Sequence, residues 1–157
     1  MTEQTTTPLY QDVRWEIDYR VRLGKAWSRF MRGLQQQQLW ASTCSSCERI
    51  FVPPQNYCEF CFAAITDWKQ VQPVGTLRAS TIVYQGFQGG PQAPYAVGAI
   101  EIDGTDTLLM HFLGGVDLSD ADTARKALYP GLRVQAEWAD DRTAAITDLR
   151  HFVPVAD

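Results

Sequence analysis

Nowhere in the 157 residues is there an apolar run approaching the ~20 that a membrane-spanning helix requires. The first residues, Met-Thr-Glu-Gln-Thr-Thr-Thr, have neither a basic region nor an apolar core, so no secretory leader is expected. Gly-x-Ser-x-Gly, phosphate-loop and dinucleotide fingerprints are missing, and no internal repeat is visible. Histidine occurs only twice and cysteine four times. The expectation is a cytoplasmic protein with no membrane association. In that reducing compartment cysteines serve more often as metal ligands than as disulfides.

Charge is scarce and unevenly spread. Charged residues are 20% of the chain and hydrophobic ones 45%, which suits a packed core and argues against global disorder. The net charge is −4, yet residues 14–32 hold six basic and two acidic groups, so the remainder sums to −8. Residues 75–157 set six basic groups (Arg78, Arg125, Lys126, Arg133, Arg142, Arg150) against eleven acidic ones. Such a segment repels phosphates, which weighs against nucleic acid as a partner.

The cysteines are the strongest feature present. Cys44-Ser-Ser-Cys47 and Cys58-Glu-Phe-Cys61 stand ten residues apart, with Pro53-Pro54 stiffening the intervening loop. Two Cys-x2-Cys turns bring four thiolates to a tetrahedral point, with backbone N–H groups offsetting their charge. Four thiolates make a closed site, which points to a structural zinc and not a catalytic one. Iron in a rubredoxin-like site uses the same ligands, and the spacing does not distinguish the two.

Around the cysteines the periodicity changes. A helix is predicted over Asp18–Gln38, with Leu23, Trp27, Phe30, Met31 and Leu34 forming an apolar stripe and Arg22, Lys25, Arg29 and Arg32 on another face. Residues 1–12 read as a polar tail. Extended segments are predicted at Gly75–Tyr84, Tyr95–Ile102, Thr107–Leu113, Leu132–Trp138 and Ala144–Phe152. A short helix at Ser119–Leu128, capped by Ser119 or Asp120, falls between the third and fourth. That order is expected of an OB-fold barrel. The fold class is therefore α+β, mainly β. Residues 1–39 form the tail and amphipathic helix, 40–68 the zinc ribbon and 69–157 the five-stranded OB-fold barrel.

This succession resembles the acyl-CoA-associated zinc-ribbon/OB-fold family, over about residues 20–155. Besides the cysteines, the likeness rests on Pro53-Pro54, Trp68, Gly75-Thr-Leu-Arg-Ala-Ser-Thr-Ile-Val, Ala93-Pro-Tyr-Ala-Val-Gly-Ala-Ile-Glu, Pro130-Gly-Leu-Arg-Val and His151-Phe-Val-Pro154. The chain departs from the family's habit at Glu48, often Gly, and at Glu59, often Pro. The resemblance implies a rubredoxin-like ribbon and a non-catalytic accessory subunit of a thiolase-superfamily enzyme. Such a partner makes or breaks a carbon–carbon bond beside an acyl-CoA thioester, as in thiolase-, aldolase- or acyltransferase-type complexes. A hetero-oligomer such as a heterotetramer is expected.

The residues agree that the chain alone lacks thiolase chemistry, because with four cysteines on metal no nucleophilic thiol is spare. His111, in an apolar run, reads as a core or sheet-face histidine, and His151 as a strand-end residue within reach of a partner. Asp103, Asp106, Asp140 and Asp141 read as solvated turn acids. For coenzyme A binding the candidates are Arg49, Lys69 and Arg78 for phosphate and Tyr84, Phe87 and Tyr95 for adenine. The competing reading makes these charges solvated surface groups and the rings edge packing. For the partner interface the candidates are Trp27, Phe30 and Met31, rimmed by Arg29 and Arg32 and extended by Trp15 and Tyr19. The alternative is that this stripe packs on the chain's own barrel. Two other functions compete: single-stranded nucleic-acid binding, which needs a basic aromatic groove, and a stand-alone acyl-CoA hydratase or thioesterase, which needs a convergent acid–base set.

Overall fold

The computed structural model describes residues 20–155. The polar tail and the interface candidates Trp15 and Tyr19 lie outside them. The first helix, α1, spans Gly24–Gln35 and not Asp18–Gln38. The physical reason is backbone: Gly24 has φ +68°, so helical geometry cannot run back through it to Leu23. At the other end Gln37 has φ +59°, and the N–H groups of Gln37 and Gln38 return to the carbonyls of Leu34 and Gly33. Gln36–Gln38 therefore form the cap and not another turn.

Three strands follow: β1 (Leu39–Thr43), β2 (Ile50–Phe51) and β3 (Asp67–Val71), in the antiparallel order β2-β1-β3. The next five are β4 (Val74–Val83), β5 (Tyr95–Ile102), β6 (Leu108–Leu113), β7 (Arg133–Trp138) and β8 (Leu149–Pro154). They close a barrel in the order β4-β5-β6-β8-β7. β6 and β8 meet in parallel at Leu113 and Phe152, while the other pairs are antiparallel. Helix α2 (Ala121–Ala127) connects β6 to β7, and Asp120 caps it by accepting the Thr123 N–H at 2.8 Å. The expected mostly-β architecture, with a five-stranded OB-like barrel, is the one observed.

Strand alternation places the core. On β6, Leu109, His111 and Leu113 point inward and Leu108, Met110 and Phe112 outward. One apolar cluster runs from Phe30, Met31 and Leu34 of α1 through Leu39, Ala41 and Val71 to Leu77, Ile100, Val134 and Phe152 of the barrel. A smaller cluster holds Cys44, Phe51, Cys58 and Ile65.

Two sequence expectations need correction. The last strand begins at Leu149, not at Ala144. Before it the chain turns, with Ala144 at φ +60°. The buried Asp148 carboxylate accepts the N–H groups of Thr143, Ala144 and Ala145 at 2.9, 2.8 and 3.2 Å, which holds that turn closed. The turn acids are also not merely solvated. Asp103 forms a bidentate pair with Arg133, and the Asp106 carboxylate accepts the Ile50 N–H at 2.8 Å. No helix among the described residues is long and apolar enough to cross a membrane.

Candidate metal centre and the basic groove beside it

The two cysteine turns are built alike. The Glu48 N–H donates to the Cys44 carbonyl at 2.8 Å and the Cys44 N–H to the Arg49 carbonyl at 2.9 Å. In the second turn Phe62 N–H donates to Cys58 O and Cys58 N–H to Ala63 O, both at 2.9 Å. Each turn ends on a left-handed residue, Glu48 at φ +61° and Phe62 at φ +60°. The N–H groups of Ser46 and Cys47 face the Cys44 sulfur, and those of Phe60 and Cys61 face Cys58. Burial pushes the Cys58 thiol up, but these N–H groups and the neighbouring thiols override it and hold it down at about 6.

The four sulfurs lie within 4.8 Å of one another, with Cys44 to Cys61 and Cys47 to Cys58 each 3.5 Å. A tetrahedral ion at ~2.3 Å from each sulfur separates them by about 3.8 Å. The set therefore fits one tetrahedral metal, held by Cys44, Cys47, Cys58 and Cys61. Four thiolates leave no position for substrate, so an ion here would act by tying two turns together. The ribbon carrying it is fastened to the barrel. Thr107 Oγ1 accepts the Val52 N–H and donates to the Val52 carbonyl, both at 2.8 Å, beside the Asp106 contact to Ile50.

The coenzyme A candidates do not converge. Arg49 stacks on Phe60, its guanidinium carbon 3.4 Å from the ring centre, and Lys69 stands exposed on β3. Arg78 is ion-paired with Glu101 at 2.6 Å, which raises the guanidinium pKa and lowers that of the carboxyl. Tyr84 is exposed just past the far end of β4, about 20 Å from Arg78 by strand rise, and Phe87 is exposed in the loop beyond it. Tyr95 packs edge-on to Phe112 at 5.7 Å. Of the partner candidates, Phe30 and Met31 are buried in the core, so the chain itself occupies that part of the stripe. Trp27 remains 38% exposed, and Arg29 and Arg32 are exposed.

What the fold does bring together is a groove of about 800 Å³, lined by Arg22, Lys25, Arg29, Arg32, Gln38 and Trp40 among others. Arg29 lies over two indoles, its guanidinium carbon 4.3 Å from the Trp40 ring centre and 4.8 Å from Trp68. Trp40 donates to Gln38 Oε1 at 3.1 Å. Its ring lies directly on Gly33, where a β-carbon would collide with it. Spacing of three and four residues along α1 signals Lys25, Arg29 and Arg32, while Arg22 precedes the helix. The part of Trp40 was missed because it lies in the ribbon, across a turn from them.

Comparison with known families follows this division of the chain. Residues 31–67 match the rubredoxin-like zinc ribbon domain of ChsH2, and residues 68–139 match the ChsH2 C-terminal OB-fold domain. The two matches adjoin without a gap and together span well over half of the chain. The chain belongs to the ChsH2 zinc-ribbon/OB-fold family. Among solved structures it is similar to a DUF35-family protein of unknown function from Sulfolobus solfataricus. That protein is 26% identical, with a TM-score of 0.56, over 72% of this chain and 78% of the other. It is also similar to the Ltp2–ChsH2(DUF35) aldolase at 18% identity and a TM-score of 0.64, over 86% of this chain and 98% of that one. The second likeness is one of fold. No curated protein matches the chain.

Within the ChsH2 family frame, the departure at Glu48 has a clear consequence. Glycine takes φ +61° freely, whereas glutamate there is strained. Both histidines make a hydrogen bond within the chain. His111 is buried, its Nε2 2.6 Å from the Leu149 carbonyl, and His151 Nε2 is 2.5 Å from Glu137 Oε2.

Proposed function

We propose that this chain is the accessory zinc-ribbon/OB-fold subunit of an acyl-CoA complex, cytoplasmic and non-catalytic on its own. It docks a thiolase-superfamily subunit that makes or breaks a carbon–carbon bond beside the thioester, and it helps to hold the acyl-CoA. The observation that carries this reading is the placement of the chain's cysteines and histidines. All four thiols gather in one cluster, and both imidazoles are engaged within the chain. The thiol nucleophile of a thiolase-type reaction must then come from elsewhere. Family membership supports the reading, as does the shared fold with a chain of the Ltp2–ChsH2(DUF35) aldolase. The cluster is assigned to structural zinc.

With Phe30 and Met31 buried, docking falls to other surfaces. Two exposed sets are available: Leu108, Met110 and Phe112 on the outer face of β6, and Tyr57, Phe60 and Phe62 on the ribbon. The test is co-expression with a thiolase-superfamily subunit, followed by sizing and an acyl-CoA carbon–carbon bond assay. Co-elution with activity that requires both chains supports the reading. Turnover by this chain alone, or two proteins that never associate, refutes it.

A further inference from the structure

We infer that the groove between α1 and Trp40, and not the barrel, holds the phosphorylated end of coenzyme A. This rests on the acyl-CoA reading above and adds to it the place and the residues. Arg22, Lys25, Arg29 and Arg32 all line this one groove, and no carboxylate lines it among the described residues. Its size lies within the range of small-molecule sites. The 3′-phosphate and pyrophosphate together carry roughly four negative charges, and four cations face them.

Three of the four are arginines, whose planar forks suit phosphate oxygens in pairs. The Arg29 guanidinium lies over the Trp40 and Trp68 rings, which orients its charge before any ligand arrives. The indole of Trp40 lines the groove beneath Arg29, and its N–H is already satisfied by Gln38. Arg78, the barrel's alternative, is neutralised by Glu101, and Tyr84 lies about 20 Å from it by strand rise.

The test is calorimetric titration of the full-length, zinc-loaded chain at low salt. The ligands are coenzyme A, dephospho-coenzyme A and a ten-nucleotide single strand. Arg22 and Arg32 are exposed, so the double variant Arg22→Gln/Arg32→Gln should fold normally, as circular dichroism will show. The inference predicts that coenzyme A binds and that loss of the 3′-phosphate weakens binding about tenfold. It predicts at least a tenfold loss in the double variant and none in Arg78→Gln. No binding of coenzyme A, wild-type affinity in the double variant, loss in Arg78→Gln, or equally tight binding of the oligonucleotide each overturns it. Assembly with the thiolase-like subunit is read separately by sizing. A double variant that assembles and still binds coenzyme A normally sinks the groove alone, whereas a wild-type chain that never assembles sinks the underlying function.

Discussion

Gly33 shows how one missing β-carbon organises both the fold and the groove. Alanine is the better helix former by roughly 1 kcal/mol, so propensity alone favours Gly33→Ala. The added carbon, however, would collide with the Trp40 ring and come within 2.9 Å of the Gln38 carbonyl. Gly33→Ala is predicted to lose about 1–3 kcal/mol, read as a lowered denaturation midpoint. His111 supplies a second residue-scale prediction. Burial pushes its pKa down, and the Leu149 carbonyl only partly offsets this. An unfolded histidine titrates near about 6.5. The unfolded chain therefore takes up the proton first as pH falls. Stability from neutral His111 is complete above that pH and drains below it, until the folded group protonates too. Between pH 7 and 5 the guanidinium midpoint should fall more steeply for the wild type than for His111→Gln, which keeps a donor but does not titrate. Equal slopes would show that His111 contributes nothing to acid sensitivity.

At the scale of elements, the informative contact is the seam between ribbon and barrel. β2 is two residues long and would not persist alone, but the β5–β6 turn continues it. Asp106 takes the Ile50 N–H and returns its own N–H to the Ile50 carbonyl, and Thr107 serves both backbone groups of Val52. Thr107→Val keeps the shape of the side chain and leaves both Val52 groups without their partner. A loss of about 1–3 kcal/mol is expected, with faster amide exchange confined to residues 50–52. Uniform exchange across the chain would contradict a local seam. α1 is secured in a similar way at its C-terminal end, where Arg142 donates to the Gln35 carbonyl at 2.9 Å. None of this is legible in the sequence, because an aspartate in a turn has the same local signature whether it faces water or another element. The strands were legible, since alternation such as Leu132, Val134, Ala136, Trp138 is a property of the strand itself. The start of α1 was not. Apolar spacing ran on past Gly24, and periodicity carries no information about the positive φ that stops the helix there.

For the whole molecule, one core joins α1, part of the ribbon and the barrel, while the tip of the ribbon has only the Cys44, Phe51, Cys58 and Ile65 cluster. So small a cluster cannot hold a loop by burial alone, and the metal must supply the difference, of order 10 kcal/mol. Chelation under reducing conditions is therefore predicted to release the cysteine turns at 44–48 and 58–62 to proteolysis and leave Ile50–Val52 and the barrel strands protected. Simultaneous loss of both would mean that the barrel depends on the tip. The metal ligands were readable from spacing because Cys-x2-Cys is a local turn. The coenzyme A candidates were not. Arg78 and Tyr84 lie close in sequence, yet strand rise along β4 carries them about 20 Å apart. Of the groove cations, Arg29 and Arg32 were assigned from sequence to the partner interface, and all four converge with a tryptophan from the next element.

The account stands on a chain that carries a tetrathiolate metal and leaves the chemistry to a partner. Native mass spectrometry of this chain co-expressed with a thiolase-superfamily subunit reads both points at once. The predicted result is a single complex containing both proteins, such as a heterotetramer, with one zinc for each copy of this chain. Separate subunits, or a folded chain with four titratable thiols and no metal, would contradict it.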